Sequence, residues 1–169
     1  MKTKNITLAA MFLALGILFP QIFHAIPNAG LILLPMHIPV FLCGFICGPL
    51  YGLLVGFITP ILSNIIFAMP LAHMLMQMIV ELSMYGFMSG LLSSLIKINN
   101  VLLKNYIVLI VSMIVGRLVY GLANNYIFRA GSYSLQIWLS SAFITSIPGI
   151  IIQLSIIPIL VIWIKKLIR

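Results

Sequence analysis

The chain has 169 residues, of which 63% are hydrophobic and 6% charged, with a mean hydropathy of +1.28. Soluble domains carry about 25% charged residues because their surface faces water, so this composition excludes an ordinary soluble domain and calls for lipid around the fold. Nine Lys+Arg against one acid give a formal charge of +8, but the bases sit at the ends of apolar runs and not in a basic arm interleaved with aromatics, so they read as topology signals and exclude nucleic-acid binding.

Apolar runs broken by Pro, Gly or charge predict six membrane spans, and the length suits a single domain over 1–169. In chain order they are Ile6 to Phe23, Met36 to Cys47, Leu50 to Phe67, Leu71 to Ile96, Leu102 to Phe128 and Leu139 to Ile164. Lys2 and Lys4 before the first run imitate a secretory signal peptide, but cleavage would delete a span and spoil the charge pattern, so a retained helix is expected. The second run is short for a crossing and is expected to be thinned, tilted or partly loop-like. Cys47-Gly48-Pro49 breaks the chain before the third span, since proline disfavours helical geometry in the residue ahead of it. Met69-Pro70 does the same before the fourth.

Lys2 and Lys4, Lys97 and Lys104, and Lys165, Lys166 and Arg169 form three basic clusters. An even number of spans puts all three on one side, which the positive-inside rule makes cytoplasmic. The expected architecture is therefore an all-α membrane protein, a bundle of six transmembrane helices with both termini cytoplasmic. The outer face then carries His24 to Pro35, Ala68 to Pro70 and Arg129 to Trp138. The first of these, with Pro27, Asn28 and Gly30 ahead of Leu31 to Leu34, is expected to gate the site beneath it.

Small-xxx-small pairs at Gly44 and Gly48, Gly52 and Gly56, and Gly86 and Gly90 mark close helix approach, chiefly within the bundle. Ala10 and Ala14 on the first span form a flat groove among Ile, Leu, Met and Phe. Cys43 and Cys47 share a helix face and read as reduced small hydrophobes, with no further ligands nearby for a metal.

The polar residues inside the spans need a reason. Glu81 is the only acid, and it and Arg117 fall at similar depth, where each alone would cost about 2.5 to 3.5 kcal/mol on insertion scales. Their pairing is expected, either as a structural bridge or in a site. Gln77, Glu81 and Tyr85 form one stripe at four-residue spacing; Arg117, Tyr120 and Asn124 form another, with Asn125 adjacent and Gln153 on the last span. Together they predict a wet pocket in the outer half for a small solute with hydrogen-bonding and charged parts, the tyrosines offering rings to stack on. Of His24, His37 and His73, His37 in Pro35-Met36-His37-Ile38-Pro39 is the candidate for this pocket. The histidines fit no zinc motif, one Glu cannot form a carboxylate pair, and neither a Gly-x-Ser-x-Gly element nor a phosphate-binding Gly-x-x-x-x-Gly-Lys loop occurs. No enzyme activity, metal or cofactor is expected, and energy for active transport must come from an ion or another subunit.

Several of these elements, in this order, resemble the substrate-binding membrane subunits, or S-components, of energy-coupling factor (ECF) vitamin transporters. They are Leu8-Ala9-Ala10-Met11-Phe12-Leu13-Ala14, Met36-His37-Ile38-Pro39, Gly44-Phe45-Ile46-Cys47-Gly48-Pro49, Gly52-Leu53-Leu54-Val55-Gly56, Glu81-Leu82-Ser83-Met84-Tyr85-Gly86 and Ile147-Pro148-Gly149-Ile150-Ile151-Ile152-Gln153-Leu154. The resemblance implies a multi-pass protein of the bacterial plasma membrane that captures a vitamin-like nutrient from outside. It also implies partners: a transmembrane coupling protein, docked on Ala10 and Ala14, and two cytoplasmic ATPases. Pocket residues vary across the family, so pantothenate, pyridoxine-like compounds, lipoate and nucleobase-type precursors all stay open. Two other readings of the residues remain: a proton-coupled secondary transporter using Glu81, and a non-transporting membrane protein.

Overall fold

The computed structural model describes residues 2–23, 32–128, 138, 140 and 144–168. Among them run six helices and no strand: α1 (Lys2–Ile22), α2 (His37–Cys47), α3 (Pro49–Phe67), α4 (Ala72–Leu95), α5 (Val101–Ala123), which continues into a π-helical turn at Asn124–Phe128, and α6 (Ile147–Ile168). His24, most of the expected gate and 129–137 lie outside the described residues. Five of the helices are long and apolar enough to cross a membrane. Their outward faces carry large apolar side chains such as Ile6, Leu50, Ile65, Leu122, Ile159 and Trp163, as a lipid-facing surface requires.

The helix ends follow local chemistry. Gly48 takes φ +98° and its N–H returns to the Gly44 carbonyl at 3.1 Å, while Pro49 opens α3, where its missing N–H costs nothing. Ala68 ends α3 in the left-handed region, and the Asn64 side chain closes the turn by donating to the Pro70 carbonyl at 2.7 Å. The Asn100 side chain caps α5 by accepting from the Leu102 and Leu103 amides. α6 starts at Ile147, later than the expected Leu139, with Pro148 in its first turn.

The short second span is not loop-like. It is a regular helix of 11 residues, about 16 Å long at the helical rise against a hydrocarbon core of about 30 Å. It need not cross alone, because ten of its residues are buried and α1, α3, α4 and α6 pack around it. The chain just before it is buried as well, from Leu34 through Met36.

Glycine decides how closely these helices meet. A Cβ at Gly52 would overlap the Gly86 carbonyl, one at Gly56 the Leu82 carbonyl, one at Gly44 the Ser89 hydroxyl and the Gly86 carbonyl, and one at Gly90 would lie 2.5 Å from the Pro49 nitrogen. The glycine pairs thus seat α2 and α3 directly on the α4 backbone. At one end of the bundle Lys4 Nζ donates to the Ile168 carbonyl at 2.5 Å, and Lys104 lies within electrostatic range of Lys165. The start of α1, the end of α6 and the start of α5 therefore lie at one end of the bundle.

Gly86→Val would force the α3 and α4 backbones apart. It is expected to destabilise the protein by at least about 1 to 3 kcal/mol, read as a lowered melting temperature in detergent. Leu54→Val, on an exposed face, is expected to leave melting unchanged.

Candidate functional site

The polar residues converge where α2, α4 and α5 meet. Four-residue spacing on α4 puts Glu81 and Tyr85 on one face, and the Tyr85 hydroxyl donates to Glu81 Oε1 at 2.6 Å. From α5, Arg117 Nε donates to the same hydroxyl at 3.1 Å. The two charges are thus linked through a tyrosine whose hydroxyl gives its proton to one and its lone pair to the other. From α2, His37 Nε2 stands 4.0 Å from Glu81 Oε2, and the imidazole tilts against the Tyr85 ring with centroids 5.5 Å apart.

Two residues not picked out for this site in the sequence set the position of Tyr85. Phe41, one turn along α2 from His37, stacks on its ring at 4.8 Å. Gly116 makes room on the other helix, since a Cβ there would overlap the ring. With 1% exposure, Tyr85 has no open face, and its hydroxyl bridges the two charged side chains. A third residue, Trp138, crosses α5 at Gly121 and donates its indole N–H to the Arg117 carbonyl at 3.1 Å. Sequence gave one signal for Gly116, its place beside Arg117; Phe41 is one apolar residue among many.

The remaining expected residues stand outside this hydrogen-bonded chain. Gln77 is buried one turn before Glu81 on α4. Asn124 is buried in the π turn of α5, its amide donating to the Tyr120 carbonyl at 2.9 Å while Oδ1 has no partner; Tyr120 is half-buried. Gln153 is buried on α6 with Nε2 unpartnered. His37 also lacks a hydrogen-bond partner at either ring nitrogen. Buried polar atoms are rarely left unsatisfied; here Gln21, Ser63 and Ser83 also hold such atoms, so the unpartnered groups are spread over the bundle.

On the far side of Arg117 a groove of about 140 Å³ opens between α5 and α6, lined by Ile110, Met113, Ile114, Arg117, Ile150 and Leu154. Its walls are apolar apart from the arginine. The cluster therefore has a polar side formed by Glu81 and His37 and an apolar side reached by Arg117.

Ala10 and Ala14 are exposed on α1, whereas Ala9 and Phe12 are buried toward α2 and α3. Their groove faces outward. The cysteines Cys43 and Cys47 are free and buried in α2, and among the described residues no group of three or more His, Cys, Asp or Glu side chains could hold a metal.

Comparison with known proteins gives one match. The family model described as "ECF transporter, substrate-specific component" covers residues 4–161. No curated protein and no solved structure matches.

Tyr85→Phe removes the shared hydroxyl and leaves two charges short of a partner. It is expected to cost about 1 to 3 kcal/mol, measured as a drop in melting temperature, with Phe41 and Gly116 still able to hold the ring.

Proposed function

The chain belongs to the substrate-specific components of ECF transporters, and we propose that it binds a vitamin or related small nutrient with high affinity on the outer side of a bacterial plasma membrane. Family membership makes it a multi-pass, substrate-binding subunit of an importer and not an enzyme, working with ECF membrane and ATPase modules. The observation that carries the finer reading is the chain Arg117, Tyr85, Glu81 and His37, set where three helices meet inside the bundle. Charges at such depth ordinarily line a site or a pathway, and the unpartnered nitrogens of His37 and Gln153 and the oxygen of Asn124 supply the hydrogen-bonding capacity a small solute needs.

Sidedness follows from charge. The end that gathers Lys4, Lys104 and the end of α6 is cytoplasmic under the positive-inside rule. The substrate then reaches the cluster from the other end, beneath the segment leading into α2. Ile32 and Leu33 of that segment pack on Gly149 at the start of α6, which brings it over the bundle. Glu81, Arg117, Tyr85, Tyr120, Asn124, Gln153, Gln77 and His37 are the residues assigned to binding, with Tyr85 acting by positioning its charged neighbours.

The exposed Ala10 and Ala14 surface suits a coupling membrane protein, because two methyl groups four apart let a partner helix approach closely. Two ATPases on the cytoplasmic side would supply the energy.

A binding screen of the detergent-purified chain against vitamins and their precursors is expected to yield at least one tight ligand; a folded protein that binds none would overturn the proposal. The Ala10→Trp, Ala14→Trp double variant is expected to keep its melting temperature and ligand affinity while losing ATP-dependent uptake in cells that supply the partner modules. Normal uptake by that variant would remove the docking surface.

A further inference from the structure

Glu81 and Arg117 are unequally open. The Glu81 side chain is 15% exposed, while Arg117 is 4% exposed, with its Nε committed to Tyr85. A ligand entering the polar side of the cluster therefore meets the carboxylate first. Glu81 Oε1 already accepts from Tyr85, which leaves Oε2 as its open acceptor. Opposite it stands His37 Nε2, 4.0 Å away and without a hydrogen-bond partner. That separation is too long for a direct bond. It suits one nitrogen lying between them: at roughly 2.9 Å from each of two atoms 4.0 Å apart, that nitrogen subtends an angle of about 90°. An amino group can direct two N–H bonds in that way, one to the carboxylate and one to the acceptor nitrogen of a neutral imidazole.

We infer that the ligand presents an amino group, as an ammonium or an exocyclic aromatic amine, to the claw formed by Glu81 Oε2 and His37 Nε2. The inference rests on the substrate-binding reading above and narrows it to a ligand class. A ligand whose polar end is a carboxylate would meet Glu81 with like charge and would find Arg117 behind Tyr85. With Nε2 as an acceptor, a hydroxyl, which brings one donor, satisfies one side of the claw. Arg117 keeps the role that its bond to Tyr85 gives it: its charge polarises the hydroxyl toward Glu81 and keeps the carboxylate aimed at the claw. Tyr85 is accordingly a positioning residue.

The test uses the full-length purified chain in detergent with two probe sets, thiamine, pyridoxamine and adenine against pantothenate, biotin and lipoate. Pyridoxamine and pyridoxine form a matched pair differing in amine against hydroxyl. Binders are expected in the amino set, with the amine of the matched pair favoured at least about tenfold wherever either binds, the scale of one hydrogen bond to a charged group. Glu81→Gln is expected to weaken the best amino ligand by about 10- to 100-fold and His37→Phe by about tenfold, with ligand-free melting held as the folding control. Tight binding of a carboxylate probe that is unaffected by Glu81→Gln would overturn the inference and leave the importer reading standing. Failure of every probe to bind folded protein would remove the inference, and only failure across the full screen of vitamins and precursors would remove the importer reading as well. The comparison between probe sets uses the unaltered chain, so misfolding of a variant leaves it decisive.

Discussion

Backbone-to-backbone approach at glycine is the constraint on which the rest of this structure depends. Lipid tails are as apolar as leucine, so helices in a membrane gain nothing by hiding hydrocarbon and must be held by close packing and hydrogen bonds. Gly44, Gly52, Gly56, Gly86 and Gly90 remove the side chains that would hold α2 and α3 away from α4. With that contact made, an 11-residue helix too short to cross becomes the centre of the bundle.

The placement of α2 has a chemical consequence. Because it sits inside the ring of longer helices, His37 and Phe41 are delivered to the face of α4 that carries Glu81 and Tyr85. Gly116 then lets α5 close over the tyrosine ring, which brings Arg117 to its hydroxyl. Packing and polar chemistry are thus parts of one arrangement. The isolated acid and the isolated cation would each be costly in lipid, and the shared tyrosine lets both be held without collapsing onto one another.

Other polar groups in the bundle have structural work instead. Asn105 donates to the carbonyl of Pro158 at 3.3 Å, tying α5 to α6. Thr59, beside Pro60 in α3, returns its hydroxyl to the Val55 carbonyl at 2.6 Å, and Ser112 does the same to Val108 at 2.7 Å. These satisfied groups contrast with His37, Asn124 and Gln153, each of which keeps at least one buried polar atom without a partner.

Sequence by itself determined the class, the six helices of the described residues and most of their ends. Composition demands lipid, and Gly48-Pro49, Asn64 through Pro70 and Asn100 carry their turns and caps in local chemistry that needs no distant contact. It also determined which residues are anomalous, since one acid and one arginine inside apolar spans stand out in any fold. What sequence did not contain was who meets whom. That α2 would be buried along almost its whole length depends on four neighbouring helices, and a pattern along one segment says nothing of them. That Tyr85 would lie between the charges, closed by Phe41 and Gly116, depends on three helices crossing at one level. Side-chain type and spacing are local properties, whereas the 4.0 Å gap between His37 and Glu81 arises from the crossing of separate helices, so only the tertiary structure decided it.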